Sequence, residues 1–313
     1  MRIITIGSLA LGLSTTFAQA AWDKNKLKPL SDDKKVKVQE ALPAKSLVKP
    51  KKDRNVLVFY RCEGFVHGSI SAGNYAIKEL GKKTGAFSAD IADEYSVFDK
   101  KNLTKYDAIL FNNTTHLVFQ NDDQRDAVLD FMKQSKGVAG IHAASDNFYK
   151  WKPGARMMGG QFDGHPWGSG GTWSFKLDDP KHVLNRAFDG KGFWHKDEIY
   201  QYKPGTFVGS DEIRILLSLD LSKDQTMVPL KRNDGLRKQY TEGGRYVPVS
   251  WLRKFEGGRV FYTNLGHNES TFWTHSVLKH YLDGLQYALG DLAADATPTS
   301  KIKRTAVLAP AKP

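Results

Sequence analysis

Between Asn55 and Ser145 short apolar runs alternate with helical patterns, and this alternation constrains the fold more than any other feature of the sequence. "NVLVFY" (55–60) is nearly all apolar, as a strand buried on both faces must be. Ser69 to Lys83 follows as a helix, with Ala72, Tyr75, Ala76 and Leu80 at helical spacing. "FSADIAD" (87–93) reads as a second strand and "YDAILFNNT" (106–114) as a third. Asn121 can cap a helix running through Gln134, with Ala127, Val128, Phe131 and Met132 on one face. "GVAGIHAAS" (137–145) is a fourth strand, whose small residues suit the middle of a sheet packed closely on both sides. Strands alternating with helices predict a doubly wound parallel sheet, and such sheets bind ligands at the carboxyl ends of their strands. Polar residues cluster there: Arg61, Glu63 and His67 after the first strand, residues 112–116 after the third, and residues 142–146 at the fourth.

The second half is less regular. "GTWSFKL" (171–177), "RILLSLD" (214–220), "VPVSWLRKF" (247–255) and "GRVFYTNLG" (258–266) read as strands. The last two form a hairpin turning at Glu256-Gly257-Gly258. Ser270 or Thr271 caps a final helix through Leu289.

The ends read differently from the middle. Residues 1–20 combine Arg2, a short apolar run from Ile3 to Leu13, and Ala18-Gln19-Ala20. This is the pattern of a secretory signal peptide cut after Ala20, giving a periplasmic or secreted protein. No other stretch is long and apolar enough to span a bilayer, so no stable membrane insertion is expected. Residues 21–54 read as a basic extended lead-in, and 291–313 as a disordered tail. The net charge is +12, but residues 21–55 carry eleven Lys/Arg against five Asp/Glu. Basicity concentrated at the ends reads as solvated linker rather than as a nucleic-acid surface. Cys62 is the sole cysteine, so no internal disulfide can form and the core must hold the fold.

Five segments in order, "GFVHGSI", "GIHAASD", "GGQFDGHPWG", "DEIYQY" and "VPVSWLRKFEGGRVFYTNLGHNESTFW", make the chain resemble the ThuA-like (trehalose utilisation) family over about residues 55–290. The resemblance implies a flavodoxin-like α/β sandwich, similar to class I glutamine amidotransferases, with a central mostly parallel sheet. It also implies a link to sugar metabolism, notably of disaccharides oxidised to 3-keto sugars. In the amidotransferases a cysteine on the turn after a central strand is activated by a His-x-Glu pair. His267 and Glu269 match that pair. Ala143 and Ala144 stand at the elbow, Cys62 belongs to the first strand's loop, and Ser145 lacks a G-x-S-x-G setting. Thiol amidotransferase chemistry is therefore not expected.

The family motifs bring His67, His142, His165, Glu198 and His267 toward one rim, with Asp146, Asp163, Asp197 and Glu269 nearby in sequence. Neutral imidazole with carboxylate is a ligand set for Zn, Mn, Fe or Ni. His142, His165, Glu198 and His267 are the expected metal ligands. No local metal motif such as H-E-x-x-H supports them, and two other readings stay open: a metal-free acid/base site, and histidines satisfied within the structure. His142, His267 and Glu198 are the candidate catalytic residues. His67, Asp146, Trp167 and Glu269 are the candidate substrate contacts. Phe162, Trp173 and Tyr200 suit a core as well as a sugar wall. The reading is an exported lyase, hydrolase or isomerase acting on a keto-sugar or related glycoside, with a saccharide ligand and no nucleotide cofactor. The alternative is a non-catalytic sugar-binding module.

Overall fold

The computed structural model describes residues 22–242 and 246–312, so the expected signal peptide lies outside the described residues. Nine strands form one sheet: β1 Asn55–Phe59, β2 Ser88–Ala92, β3 Ala108–Asn112, β4 Gly137–Ile141, β5 Thr172–Leu177, β6 Phe193–Lys196, β7 Arg214–Leu219, β8 Pro248–Phe255 and β9 Gly258–Thr263. Their order is β2-β1-β3-β4-β9-β8-β7-β5-β6. The half from β2 to β9 is parallel, and the rest is antiparallel. This is the α/β sandwich expected, with its parallel half in the doubly wound order.

Each face of the sheet carries its own core. Helices Ile70–Thr84 and His275–Leu289 cover one face with Ala72, Ala76, Leu80, Val277, Tyr281 and Leu285. Helix Asp122–Lys133 covers the other with Ala127, Val128, Phe131 and Met132, and the Asn121 side chain caps it by accepting from the Gln124 N–H. The small residues of β4 have a steric cause. A Cβ on Gly137 would lie 2.1 Å from the carbonyl oxygen of Ala288, so the C-terminal helix sits against bare backbone there.

Both ends depart from expectation. Residues Asp32–Ala41 of the lead-in form a helix. It buries Val38 and reaches the helix Ile70–Thr84 through Gln39, which donates to the Tyr75 hydroxyl at 3.0 Å and to Glu79 at 2.9 Å. The tail is ordered as well. Val307 pairs with Leu177 at the end of β5, Ala309 donates to Asp220, and the Thr299 hydroxyl accepts from the Ile215 N–H. The predicted β4 stops at Ile141, and the final helix begins at His275 after a separate turn, Glu269–Trp273. No helix among the described residues is long and apolar enough to cross a membrane.

Candidate metal and acid/base centre

The residues that follow β1, β4 and β9 carry His67, His142 and His267, and they meet His165 and Glu198 from the segments before β5 and after β6, so each of the five sequence segments delivers one side chain. His142 follows β4 directly. It does not continue the strand as expected: its φ is +47°, a left-handed conformation unusual for a residue with a Cβ. This is the strained strand-to-turn position that a nucleophile elbow uses, so His142, not Ala143 or Ala144, occupies the elbow. Its Nδ1 donates to the Asn264 carbonyl at 2.7 Å, which leaves Nε2 as an acceptor facing inward. The neighbouring loop from β9 passes so close that a Cβ on Gly266 (φ +141°) would lie 2.6 Å from Ile141. Only glycine fits there, and it brings the next residue, His267, beside His142.

The geometry is that of a converging donor set. His67, His142 and His267 form a triangle with ring centroids 5.0, 5.1 and 5.1 Å apart and planes nearly perpendicular. His267 Nδ1 lies 3.2 Å from His142 Nε2 and 3.1 Å from Glu198 Oε1. One ligand atom from each of His67, His142, Glu198 and His267 lies within 4.8 Å of the other three. His67 is buried with Nδ1 lacking any hydrogen-bond partner, and its Nε2 stands 3.3 Å from the Tyr200 hydroxyl. Burial, and after it the other imidazoles, pull His67 down to about 3 and His142 well below the ordinary histidine value. These rings are therefore neutral at physiological pH, as metal ligands must be.

The structure thus separates the sequence candidates. Three of the four expected metal ligands, His142, Glu198 and His267, lie in the quartet, and His67 completes it. His165 stands just outside: its ring is largely exposed, and Nδ1 lies 3.3 Å from the second oxygen of Glu198. Asp146 is buried at the rim, where it accepts from the Tyr149 hydroxyl and lies 3.4 Å from His116 Nε2. The Asp146 carboxylate raises the His116 pKa. Trp167 does not face the rim. Its ring is fully buried, and its N–H donates to the Thr226 carbonyl at 2.8 Å; beside it Gly168 has open space around it, and Gly164 serves a turn with φ +113°. Glu269 pairs with Lys34 of the lead-in helix rather than joining His267. Cys62 donates to the Asn113 carbonyl, and burial pushes its thiol up to about 12. Ser145 is buried against the Tyr262 hydroxyl.

Sequence reasoning gave no role to the residues that hold these ligands in place. Asp197, fully buried, accepts from the backbone N–H of Gly266 at 2.7 Å, that of Asn268 at 2.8 Å and the Thr271 hydroxyl at 3.0 Å. It clamps the loop that carries His267. Burial raises its pKa against those hydrogen bonds. Asn264 fixes His142 through its carbonyl, and its side-chain oxygen accepts from the Tyr200 N–H. Tyr262 donates to the His142 carbonyl at 2.7 Å. Only the tertiary fold assembles these contacts.

The ThuA family, described as trehalose utilisation, matches residues 55–288. Two solved structures are similar. A ThuA-like protein from Bacteroides uniformis shares 20% identity with a TM-score of 0.57, covering 77% of this chain and 93% of that one. Another from Parabacteroides merdae shares 17% identity with a TM-score of 0.55, covering 79% and 95%. At these identities the likeness shows the fold. No curated protein matches the chain.

Proposed function

The chain belongs to the ThuA (trehalose utilisation) family, which gives it a carbohydrate-related role, and from that premise we propose that it is an exported enzyme that cleaves keto-glycosides by proton abstraction beside the carbonyl. The observation that carries this reading is the quartet of His67, His142, Glu198 and His267, flanked by an exposed imidazole, at the carboxyl edge of the sheet. The quartet fits a divalent ion such as Zn, Mn, Fe or Ni. Three imidazoles and a carboxylate converge, one buried nitrogen lacks a partner, and the Asn264 carbonyl fixes the tautomer of His142. Lewis-acid polarisation of a sugar carbonyl is the chemistry that such an ion supplies when bound.

The remaining work falls to groups at the rim. A 3-keto group acidifies the C2–H of the same ring. His165 takes that proton at its exposed ring, and Glu198 Oε2, 3.3 Å from Nδ1, stabilises the imidazolium that forms. The C2–H electron pair becomes a C1–C2 double bond as the glycosidic C1–O bond breaks, and the proton passes to the departing alcohol. Asp146, held by Tyr149, orients sugar hydroxyls at the same rim. Turnover of a 3-keto-disaccharide, followed by release of the alcohol half, tests the reading. His165→Ala should lower kcat at least a hundredfold while metal content stays at the wild-type level. Unchanged turnover would overturn the role of His165, and no turnover by wild-type protein loaded with each ion would overturn the enzyme reading.

A further inference from the structure

From the buried quartet an aromatic ledge leads outward to the surface. Among the described residues three aromatic side chains are exposed, and two of them, Phe65 and Tyr149, stand on the loops that follow β1 and β4 beside the quartet. Phe65 is 65% exposed, yet its ring meets that of buried His67 edge to face, with centroids 4.8 Å apart. The His116 ring continues the ledge. It lies over Gly64, where a Cβ would come within 2.9 Å of it, and it meets the Tyr149 ring at 5.2 Å.

Both rings are held in place while exposed. The Glu63 N–H donates to the Thr115 carbonyl at 2.8 Å and the Gly64 N–H to the Thr115 hydroxyl at 3.2 Å. That hydroxyl donates in turn to the Phe65 carbonyl at 2.9 Å, so the backbone beneath Phe65 is fixed to the loop after β3. Tyr149 is held through its hydroxyl, which donates to Asp146. An apolar ring fixed in the solvent gains nothing from burial, and fixed exposed faces of this kind mark contact with a ligand. The neighbouring groups narrow its class. Asp146 uses Oδ1 for Tyr149 and lies 3.4 Å from His116 Nε2 through the same oxygen, which leaves Oδ2 to accept from a ligand hydroxyl. Its charge disfavours a phosphate or carboxylate. A ligand ammonium would meet a carboxylate that already has an imidazole beside it. An uncharged ring with C–H faces and a fringe of hydroxyls satisfies both the aromatic faces and the carboxylate oxygen.

We propose that Phe65 and Tyr149 form a stacking subsite for the sugar ring of a disaccharide that does not react at the quartet. Exposure sets the order: His67 is 4% exposed, so a carbonyl that reaches the quartet leaves the rest of its molecule on the ledge outside. The choice of sugar rests on the carbohydrate reading above, and the test keeps the two apart. Trehalose binding is measured by calorimetry and saturation-transfer NMR on the full metal-loaded protein, with metal content and thermal midpoint recorded for each variant. Phe65 is exposed, so its replacement spares the core. Phe65→Ala should weaken binding by about 3- to 10-fold, the range of one aromatic stacking contact. Phe65→Leu keeps apolar bulk without a ring face and should lose affinity as well, whereas Phe65→Trp should bind at least as tightly as wild type. Phe65→Ala should also raise KM for 3-keto-trehalose by a larger factor than KM for the methyl glycoside of 3-keto-glucose. Equal trehalose affinity in wild type and Phe65→Ala would overturn the proposal, even where turnover of the keto-disaccharide proceeds. Full affinity in Phe65→Leu would overturn stacking, and no trehalose binding by wild type at millimolar concentration, or tighter binding of tetramethylammonium or glucose 6-phosphate than of trehalose, would overturn the subsite. Binding lost in Phe65→Ala and kept in Phe65→Trp, in a protein that shows no turnover, would uphold the subsite and overturn the catalytic reading instead.

Discussion

Replacing Asp197 by Asn changes one atom of a buried side chain that never touches the quartet, and its effect can be worked from the contacts. Oδ2 of Asp197 accepts from the Gly266 N–H and the Thr271 hydroxyl, and Oδ1 accepts from the Asn268 N–H. An asparagine oxygen can serve only one of these sides. If it keeps Asn268, its amide hydrogens face the Gly266 N–H, donor against donor. Hydrogen bonds to a charged acceptor contribute roughly 1.5–3 kcal/mol each, and a buried donor left unmatched costs a further ~1–3 kcal/mol. Thr271 can turn its hydroxyl to accept, which limits the loss to about 3 kcal/mol. The protein should remain folded but less stable, since domains of this kind hold about 5–15 kcal/mol. Because Gly266 immediately precedes His267, the same change should weaken metal binding by about 10- to 100-fold, as loss of a supporting group typically does. Urea unfolding gives the first quantity, and competition with a chromophoric chelator gives the second. A stability change below about 0.5 kcal/mol together with unchanged metal affinity would refute the clamp.

Three further outcomes follow from other contacts. Burial raises the Asp283 pKa from 3.8 to about 7, so the folded protein holds a proton there that the unfolded chain releases; stability falls as pH rises through that window. Asp283→Asn should match wild type near pH 4 and exceed it by up to about 4 kcal/mol at pH 8 in urea unfolding, whereas a constant difference would contradict the buried carboxyl. Gly137→Ala places a Cβ 2.1 Å from the Ala288 carbonyl oxygen and should cost about 3 kcal/mol by thermal unfolding, since backbone must move. Glu269→Ala breaks a half-exposed pair with Lys34; it should cost under about 1 kcal/mol and leave metal content unaltered, and loss of metal would return Glu269 to the site.

The parallel half of the fold was legible because buried strands such as "NVLVFY" and "GVAGI" are apolar throughout, which sets them apart from amphipathic helices. The lead-in helix was not. It buries only Val38 and leaves Val36 exposed, so no stripe marks it. Strand β6, "FWHK", is a half-exposed edge and carries no clear alternation. Within the site, sequence order identified five loops but not which imidazoles converge. His67 lies 131 residues from Glu198 and His165 only 33, yet His67 enters the quartet and His165 stays at its edge. Distance along the sequence does not decide which imidazole enters, because the rim is set by strands that pair across the whole chain. Trp167 is buried for a reason the sequence does not carry: its neighbours Gly164 and Gly168 serve a turn and open surface, while the ring itself turns into the core and bonds Thr226.

Elemental analysis of untagged protein, prepared without chelator, tests the central claim most directly. Near one equivalent of a single transition ion is expected in wild type and in His165→Ala, falling at least tenfold in His67→Ala, His142→Ala and His267→Ala. No retained ion after incubation with Zn, Mn, Fe and Ni in turn, or loss in His165→Ala with retention in His67→Ala, would contradict the quartet as the metal centre.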